Sequence, residues 1–550
     1  MQIVGRQITL SDGSIALLQN QGMQTFGSIQ VQASESVTLT GTAPDGIVSS
    51  SFRQETLGVG NTGDIAVSTR QLAIREGGQI RNRTQGVGNT GNLDVRASES
   101  IELSGASPIN PQARSVIANF SLDRGFVGDL VVSTQHLKIR GGASISTTAL
   151  GTGSGGDVLV NAVETIEVIG LEPRIIAASA IASTSLGIGN AGSVTVNTAR
   201  AIVRDGGRIT SATVASGDGG RVVVNATEFV EVSGTVPSSI NPSLIDASAN
   251  QVDEVTQQAF GLPPVPSGAP GNVEINTPKF RVTDGGLVTV RNDGMGRAGS
   301  LQVNADTILL DEGGITASTR SGEGGNINLQ IDESLQLRHG SQITAEAGGS
   351  GNGGNLTLSA NSIALLEGST IDANAFEGRG GNIEITTQGL FLSPDSHITA
   401  SSQLGIDGLV TISQPEIDTS AAFVQLNSDP IDPTTQIVSA CGVAHENSFI
   451  VTGNGGLPPD PTDVLRGQNI WVDMRLLEIR ELNRSIEDNP TEEENSSFVE
   501  PTPLVEATGW DVKADGTVEL VAIPPRQTND RGAPSNCPPY RDRSHVSIER

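Results

Sequence analysis

Three segments fit G-x-G-x-x-G, the glycine spacing of dinucleotide-binding sites: GVGNTG (58–63), GVGNTG (86–91) and GIGNAG (187–192). In those sites a strand precedes the glycines and a helix follows, so that the pyrophosphate binds at the helix N-terminus. Here an alternating apolar pattern typical of a strand follows each match, and the motif recurs at the period of a repeat. We therefore predict no nucleotide site, and we interpret GVGNTG as a corner between two strands.

Carboxylates beside glycine turns could bind calcium. Three pairs have this form: Gly63-Asp64, Gly128-Asp129 and Gly156-Asp157. Calcium-binding repeats of this kind need tandem GGxGxDxUx nonapeptides, and GSGGDVLV (153–160) is a single near match. We expect no cofactor, with structural calcium left open by the acidity of the chain.

Carbohydrate cleavage would need two carboxylates roughly 5–9.5 Å apart in a hydrolase, or a base beside metal-binding acids in a lyase. Several acidic residues fall in predicted turns: Glu76, Asp205, Asp284 and Glu312. The histidines are scattered: His136, His339, His397, His445 and His545. No constellation stands out from the repeat, so we assign no catalytic residue and expect no enzyme. A β-helix polysaccharide lyase or hydrolase is the alternative, on fold analogy alone.

The two cysteines, Cys441 and Cys537, suit one disulfide in an exported protein and equally a pair of incidental thiols. Cys441 and His445 form C-x₃-H with no second pair downstream, so zinc is not predicted. No apolar run reaches the length of a transmembrane helix, and no signal peptide pattern opens the sequence. The net charge of -28 argues against nucleic acid as a partner.

These residues belong to a repeat of thirteen units. The units begin at Gly27, Gly63, Gly91, Gly128, Gly156, Gly192, Gly220, Gly271, Gly299, Gly325, Gly354, Gly381 and Gly408. Each unit has aliphatic residues at +2 and +4, as in Ile65/Val67, and nearly all have a second alternating pair, as in Leu72/Ile74. A glycine usually follows at +14, and a third short strand such as 79–81 comes next. This pattern predicts three short strands per unit.

Such a unit buries its apolar side chains only by stacking on the next one. We predict an all-β, right-handed parallel β-helix, a three-sheet solenoid of about 13 coils, with a core of small aliphatic side chains. Only 15 of the 550 residues are aromatic, which agrees with such a core.

Long and short units alternate in the first half. The units at Gly27, Gly91, Gly156 and Gly220 have 36, 37, 36 and 51 residues, whereas the intervening units have 28. The extra residues contain proline and follow the +14 glycine. In register they would project from one edge of every second coil as a ridge of loops, and the segment 251–270 is a larger excursion. The ridge is either a ligand-contact face or a set of tolerated insertions.

The chain is expected to divide into four parts: β-helix repeats over 1–415, an end-capping region over 416–476, an acidic linker over 477–503 and a small β-hairpin tail over 504–550. In the tail, Asp515-Gly516 lies between alternating segments, a strong hairpin pattern. The first residues match the middle of a unit, with Met1 and Ile3 at +2 and +4. Because solenoid ends need caps, we expect the rod to be truncated at its N-terminus.

The sequence resembles the filamentous haemagglutinin-like exoproteins of the cyanobacterial kind. The resemblance lies in repeats such as GNLDVRASESIELSG (91–105) and GNGGNLTLSANSIALLEGSTIDA (351–373), and in the tail segments 447–475 and EATGWDVKADGTVELVA (506–522). It implies a two-partner-secretion passenger, exported through an outer-membrane β-barrel transporter. The implied role is an adhesin-like rod, extracellular or on the outer-membrane cell surface, that contacts surface glycans or other cells. The resemblance implies no catalytic residues.

Overall fold

The computed structural model describes residues 1–25, 27–236, 241–413, 509–512 and 518–521. The chain divides into two compact units, Met1–Leu426 and Asn427–Arg550. The described part of the first unit is a parallel β-helix, which confirms the predicted fold class. Each coil consists of a long strand, a turn or loop, a short strand and a glycine-rich corner. Strands are numbered β1 to β32 in chain order.

The long strands form one parallel sheet of 15 strands, in which each strand pairs with the equivalent strands of the coils before and after. Its members are β1 (Gln2–Ser11), β3 (Ile29–Thr40), β5 (Ile65–Arg75), β7 (Leu93–Ser104), β9 (Leu130–Arg140), β11 (Val158–Ile169), β15 (Val194–Arg204), β17 (Val222–Ser233), β19 (Val273–Asn276), β20 (Lys279–Thr283), β22 (Leu301–Asp311), β24 (Ile327–Arg338), β26 (Leu356–Leu365), β28 (Asn382–Leu392) and β30 (Leu409–Ser413).

The short strands form a second parallel sheet of 13 strands, called here the short-strand sheet. Its members are β2 (Ile15–Asn20), β4 (Ser51–Thr56), β6 (Gln79–Thr84), β8 (Val116–Ser121), β10 (Ser144–Ala149), β14 (Ala180–Ser185), β16 (Arg208–Thr213), β18 (Leu244–Asp246), β21 (Leu287–Thr289), β23 (Gly314–Thr316), β25 (Gln342–Thr344), β27 (Thr370–Asp372) and β29 (His397–Thr399).

The first two of the three strands predicted for a coil are joined in the structure. β5 contains both alternating pairs, and its register with β7 shifts between Thr69 and Gln71. The shift is a β-bulge, because β7 has twelve residues against eleven in β5, and a bulge bends the strand. In the coil of β19 and β20 the two strands stay separate. Pro278 lies between them, and proline has no N–H to give to the ladder.

The side chains that point into the coils form one continuous apolar core. In one coil Ile65, Val67, Leu72 and Ile74 are each at most 2% exposed, and the register places each beside an aliphatic residue of the next coil. The only aromatic side chains buried to this extent in the described residues are Phe52 and Phe280. The predicted core of small aliphatics is confirmed, and each buried side chain contributes roughly 1.5–3 kcal/mol.

The first residues occupy the middle of a coil, as the repeat predicts. β1 pairs with β3 so that Ile3 lies beside Val31 and Leu10 beside Leu39. The excursion over 251–270 contains the helix α1 (Glu254–Phe260), whose N-cap Asp253 accepts a hydrogen bond from the Thr256 backbone N–H. No residue of α1 is buried. Among the described residues, no helix is long and apolar enough to cross a membrane.

Two antiparallel pairs complete the described elements. β12 (Leu171–Glu172) pairs with β13 (Ala177–Ala178) inside one projecting loop. β31 (Gly509–Val512) pairs with β32 (Val518–Val521), in agreement with the strands predicted on either side of Asp515-Gly516, and the turn itself lies outside the described residues. The predicted end-capping region over 416–476 and the acidic linker over 477–503 lie outside the described residues, as do Cys441 and Cys537.

Candidate functional site

The glycines of GVGNTG lie where successive coils approach most closely. A Cβ atom on Gly88 would lie 2.1 Å from the carbonyl oxygen of Gly60, and one on Gly91 would lie 2.3 Å from that of Gly63. No side chain fits at these distances, so the close approach of two backbones requires glycine. Strands β5 and β7 follow the two motifs, where a nucleotide site would need a helix. The interpretation of the motif as a coil corner is confirmed.

Polar side chains inside the coil hold these corners. Asn82 Nδ2 donates to the carbonyl oxygens of Gly63 (3.0 Å) and Gly91 (3.2 Å). Three coils further on, Ser183 Oγ accepts from the Gly192 N–H at 2.8 Å. Both side chains are fully buried. The sequence does carry a pattern for them, since a polar residue comes two positions after the buried isoleucine of β6, β8, β10, β14 and β16.

The Gly-Asp pairs considered for calcium also join coils. Asp64 Oδ1 accepts from the Asn92 N–H at 2.7 Å, and Asp157 Oδ1 accepts from the Ser193 N–H at 2.7 Å. Asp129 accepts from the Asp157 N–H in the same way at 3.0 Å. Within the described ranges, no group of three or more His, Cys, Asp or Glu residues could hold a metal ion. These carboxylates therefore act as inter-coil acceptors.

The remaining candidate side chains do not form one cluster. The acidic turn residues Glu76, Asp205, Asp284 and Glu312 all have positive φ. Asp284 and Glu312 lie at equivalent positions of adjacent coils, whereas Glu76 and Asp205 lie on other coils. His339 lies 2.6 Å from Asp311 and 3.1 Å from Glu367, and the hydrogen bond to Asp311 raises the pKa of the imidazole. His136 and His397 lie on other coils. His445 and His545 lie outside the described residues.

The extra residues of the long units form the predicted ridge. The loop ridge consists of residues 41–50, 105–115 and 170–179, with residues 234–236 and 241–243 of the fourth loop, each following a long strand. Consecutive loops touch, since Asn110 Nδ2 donates to the Gly46 carbonyl at 3.1 Å. Arg174 of the third loop contacts the second loop, because its Nη1 donates to the Pro108 carbonyl at 2.9 Å.

The loops can touch because the short unit between two of them makes a tight glycine turn. Gly142 has a φ of 82°, and a Cβ atom on it would lie 2.5 Å from Glu172 Cβ of the loop above. Ser179, at the end of that loop, accepts from the Gly142 N–H at 3.0 Å and donates to the Ile169 carbonyl at 2.8 Å. Ser115 makes the same bond to Gly77. The ridge is therefore anchored at every second coil.

A second surface feature is a groove of about 750 Å³ just beyond the ends of the short strands, where single parallel bridges join successive coils. Its lining residues come from five successive coils, so it runs parallel to the rod axis for about 19 Å at 4.8 Å per coil. The side chains that give it its chemistry are Arg291, Asp293, Arg320, Glu346, Asn374 and Phe376. They follow one another at the repeat period on outward-facing positions, which we did not single out in the sequence.

The charges of this axial groove are partly paired. Arg291 Nε lies 3.0 Å from Asp293 Oδ1, and Arg320 Nη1 donates to Gln251 Oε1 at 2.5 Å. Burial and the neighbouring charge of Asp372 raise the pKa of Glu346. The Phe376 ring is 42% exposed. Guanidinium, carboxylate and amide groups beside an exposed ring offer hydrogen bonds to hydroxyl groups and a flat apolar surface to a sugar ring.

Comparison of the chain with protein-family models, with curated proteins and with solved structures finds no match. The resemblance to filamentous haemagglutinin-like exoproteins therefore stays a prediction. The fold and the two surface features, the loop ridge and the axial groove, are the observations on which a function can be argued.

Proposed function

We propose that the protein is an adhesin-like rod, extracellular or on the cell surface, that acts by binding and not by catalysis. The observation that carries this proposal is the uninterrupted stack of coils with one continuous core. Such a stack holds the loop ridge and the axial groove rigidly, and scaffold-held loops are common contact surfaces. Many weak contacts on a rigid array add up to strong attachment.

The resemblance of the repeats extends the proposal to export. By that resemblance the chain is a two-partner-secretion passenger, and its partners are an outer-membrane β-barrel transporter and surface glycans or other cells. The net charge of -28 agrees with a soluble, repetitive β-rich surface protein. Labelling of intact cells with an antibody against the rod tests display. Confinement of the protein to the cell interior would contradict it.

Binding is tested with the full chain on a glycan array and on cell surfaces. A variant with shortened loops at 41–50, 105–115, 170–176 and 234–245 is expected to bind more weakly, because it loses the contact ridge. The base serines Ser50, Ser115, Ser179 and Ser243 are retained so that the turns beneath keep their hydrogen-bond partners. Absence of binding by the natural chain to every glycan and surface would argue against the proposal.

A polysaccharide lyase or hydrolase is the second candidate, and the axial groove favours it. Asp372 pairs with Thr344 of the adjacent coil, and Glu346 lies two residues further along that coil. A raised pKa suits a carboxyl group that donates a proton. Incubation with a panel of polysaccharides should then release new chain ends, and Glu346→Gln should abolish the release. If the groove binds glycans without cleaving any, the binding rod is favoured.

A further inference from the structure

Two arginine side chains on the outer face of the short-strand sheet, Arg81 and Arg83, are half-buried and unpaired. They lie two residues apart in β6, so they point to the same side. The Nε atom of each is buried and has no hydrogen-bond partner. Among the described residues, neither guanidinium group forms an ion pair.

The one carboxylate beside them is already engaged. In the register of β4 with β6, Arg53 lies beside Arg81 and Glu55 beside Arg83. Glu55 Oε2 lies 2.5 Å from Arg53 Nη2, and Glu55 Oε1 accepts from Gln19 Nε2 at 3.1 Å. Three arginines therefore face one glutamate, which gives a local excess of positive charge on a chain whose net charge is -28.

The arrangement is unfavourable without a further anion. Burial, with the charges of Arg53 and Arg83, lowers the pKa of Arg81 to about 10, so the group stays charged at neutral pH. An unpaired, half-buried charge destabilises a fold. Acidic residues are plentiful, and elsewhere an arginine pairs with a glutamate of the next coil, as Arg75 does with Glu102. Here the next coil offers none.

The next coil instead presents side chains without charge. β8 places Ala118 beside Arg81 and Phe120 beside Arg83. Neither side chain can accept a hydrogen bond from a guanidinium group, so this coil leaves both arginines without an anionic partner.

We propose that Arg81 and Arg83 bind one oxyanion group, a carboxylate or a sulfate, carried by an acidic glycan. Guanidinium groups match the oxygens of such groups through paired hydrogen bonds. A glycan with sparse acidic groups fits better than a dense polyanion, because the net charge of the rod repels the latter. The site contains no residue of the loop ridge or of the axial groove, and the inference does not depend on either.

Calorimetric titration of the full chain tests this site at constant ionic strength. The probes are sodium sulfate, glucuronate and, as the neutral analogue, glucose. The natural chain is expected to bind sulfate and glucuronate but not glucose. Arg81→Gln should weaken binding by about tenfold or more, and the double variant Arg81→Gln/Arg83→Gln should abolish it. Arg124→Gln is the matched control, because Arg124 is exposed and its loss changes the net charge equally.

Two further readouts separate the possible results. The acidic glycan hyaluronan should bind, whereas the neutral glycan dextran should not. If glucuronate binds but hyaluronan does not, the site takes small anions, and the proposal that its ligand is an acidic glycan is overturned. Without ligand, Arg81→Gln should unfold at a higher temperature than the natural chain, since charge repulsion is relieved. A lower unfolding temperature, equal effects of Arg81→Gln and Arg124→Gln, or no anion binding would overturn the proposal.

Discussion

A single buried serine joins each projecting loop to the coil beneath it. Ser179 accepts from the Gly142 N–H and donates to the Ile169 carbonyl. It therefore links the glycine turn of the preceding coil to the end of the long strand β11. Ser115 and Ser243 repeat the arrangement with Gly77 and Gly206. A side chain that satisfies two buried backbone groups is costly to remove, because both lose their partner.

Ser179→Ala is therefore expected to lower the free energy of unfolding by about 1–3 kcal/mol. Ser350→Ala is the matched control, since Ser350 is exposed in a turn, and it should change the free energy by less than about 0.5 kcal/mol. Urea denaturation followed by circular dichroism measures both. Equal, small effects would show that water replaces the serine at the loop base.

Asp246 gives the fold a dependence on pH. Its side chain lies on the outer face of the short-strand sheet and is 3% exposed, and burial raises its pKa despite hydrogen bonds from Thr210 and Ser248. The folded chain thus holds this proton more tightly than the unfolded chain. The resulting stabilisation is complete below the ordinary aspartate pKa of about 3.9 and is lost as the pH rises through the raised value.

Asp246→Asn removes this dependence, since the amide stays neutral. We expect the variant to unfold at a higher temperature than the natural chain at pH 7, with a difference that shrinks as the pH falls towards 4. Thermal unfolding by circular dichroism across this pH range measures the difference. A variant less stable than the natural chain at pH 7 would mean that Arg208 and Arg291 stabilise the carboxylate more than burial penalises it.

At the scale of the element, the coil corner tolerates no side chain. A Cβ atom on Gly192 would lie 2.1 Å from the Gly156 carbonyl oxygen, so Gly192→Ala must push two coils apart. The expected loss is about 2 kcal/mol or more. Gly27→Ala is the matched control, because Gly27 has the same place in the repeat and nothing lies within 4 Å of its Cβ position. Chemical denaturation that affects both variants alike would contradict this account.

Strands and corners could be predicted because they are periodic. The aliphatic residues at +2 and +4 and the glycine at the start of each unit recur thirteen times, and stacking uses the same positions in every coil. The joining of two strands into one was not predicted, because a bulge needs only one extra residue, here in β7 between Ala97 and Ser100. No glycine or proline marks that position in the sequence.

The surface features were harder to predict for a physical reason. The loop ridge appears in the sequence as extra length, whereas the axial groove consists of outward positions where almost any residue is compatible with the fold. Arg291, Glu346 and Phe376 share no residue type, and only the register of the strands brings them to one surface. The unpaired state of Arg81 likewise depends on which residues the adjacent coils place beside it.

For the whole molecule, the inter-coil ion pairs matter less than the core. Arginine of one coil meets glutamate of the next at several places, as in Arg140 with Glu167 and Arg338 with Glu367. These pairs are largely exposed, and exposed pairs contribute roughly 0–1 kcal/mol. The aliphatic stack is continuous, so each coil is stabilised mainly by its two neighbours. Stability should therefore vary along the rod and respond locally to a defect.

Ile209→Ala tests this local response. Ile209 is fully buried in β16 and lies between Ile181 and Ile245 of the adjacent coils. The cavity should cost about 2–5 kcal/mol, and amide exchange should speed up in β14, β16 and β18 while β6 and β25 stay protected. Ile398→Ala is the control, because Ile398 is only partly buried in β29 and its loss should leave the central coils unchanged. Equal acceleration in every coil for Ile209→Ala would show that the rod unfolds as one cooperative unit, in which case neighbour contacts alone do not set its stability.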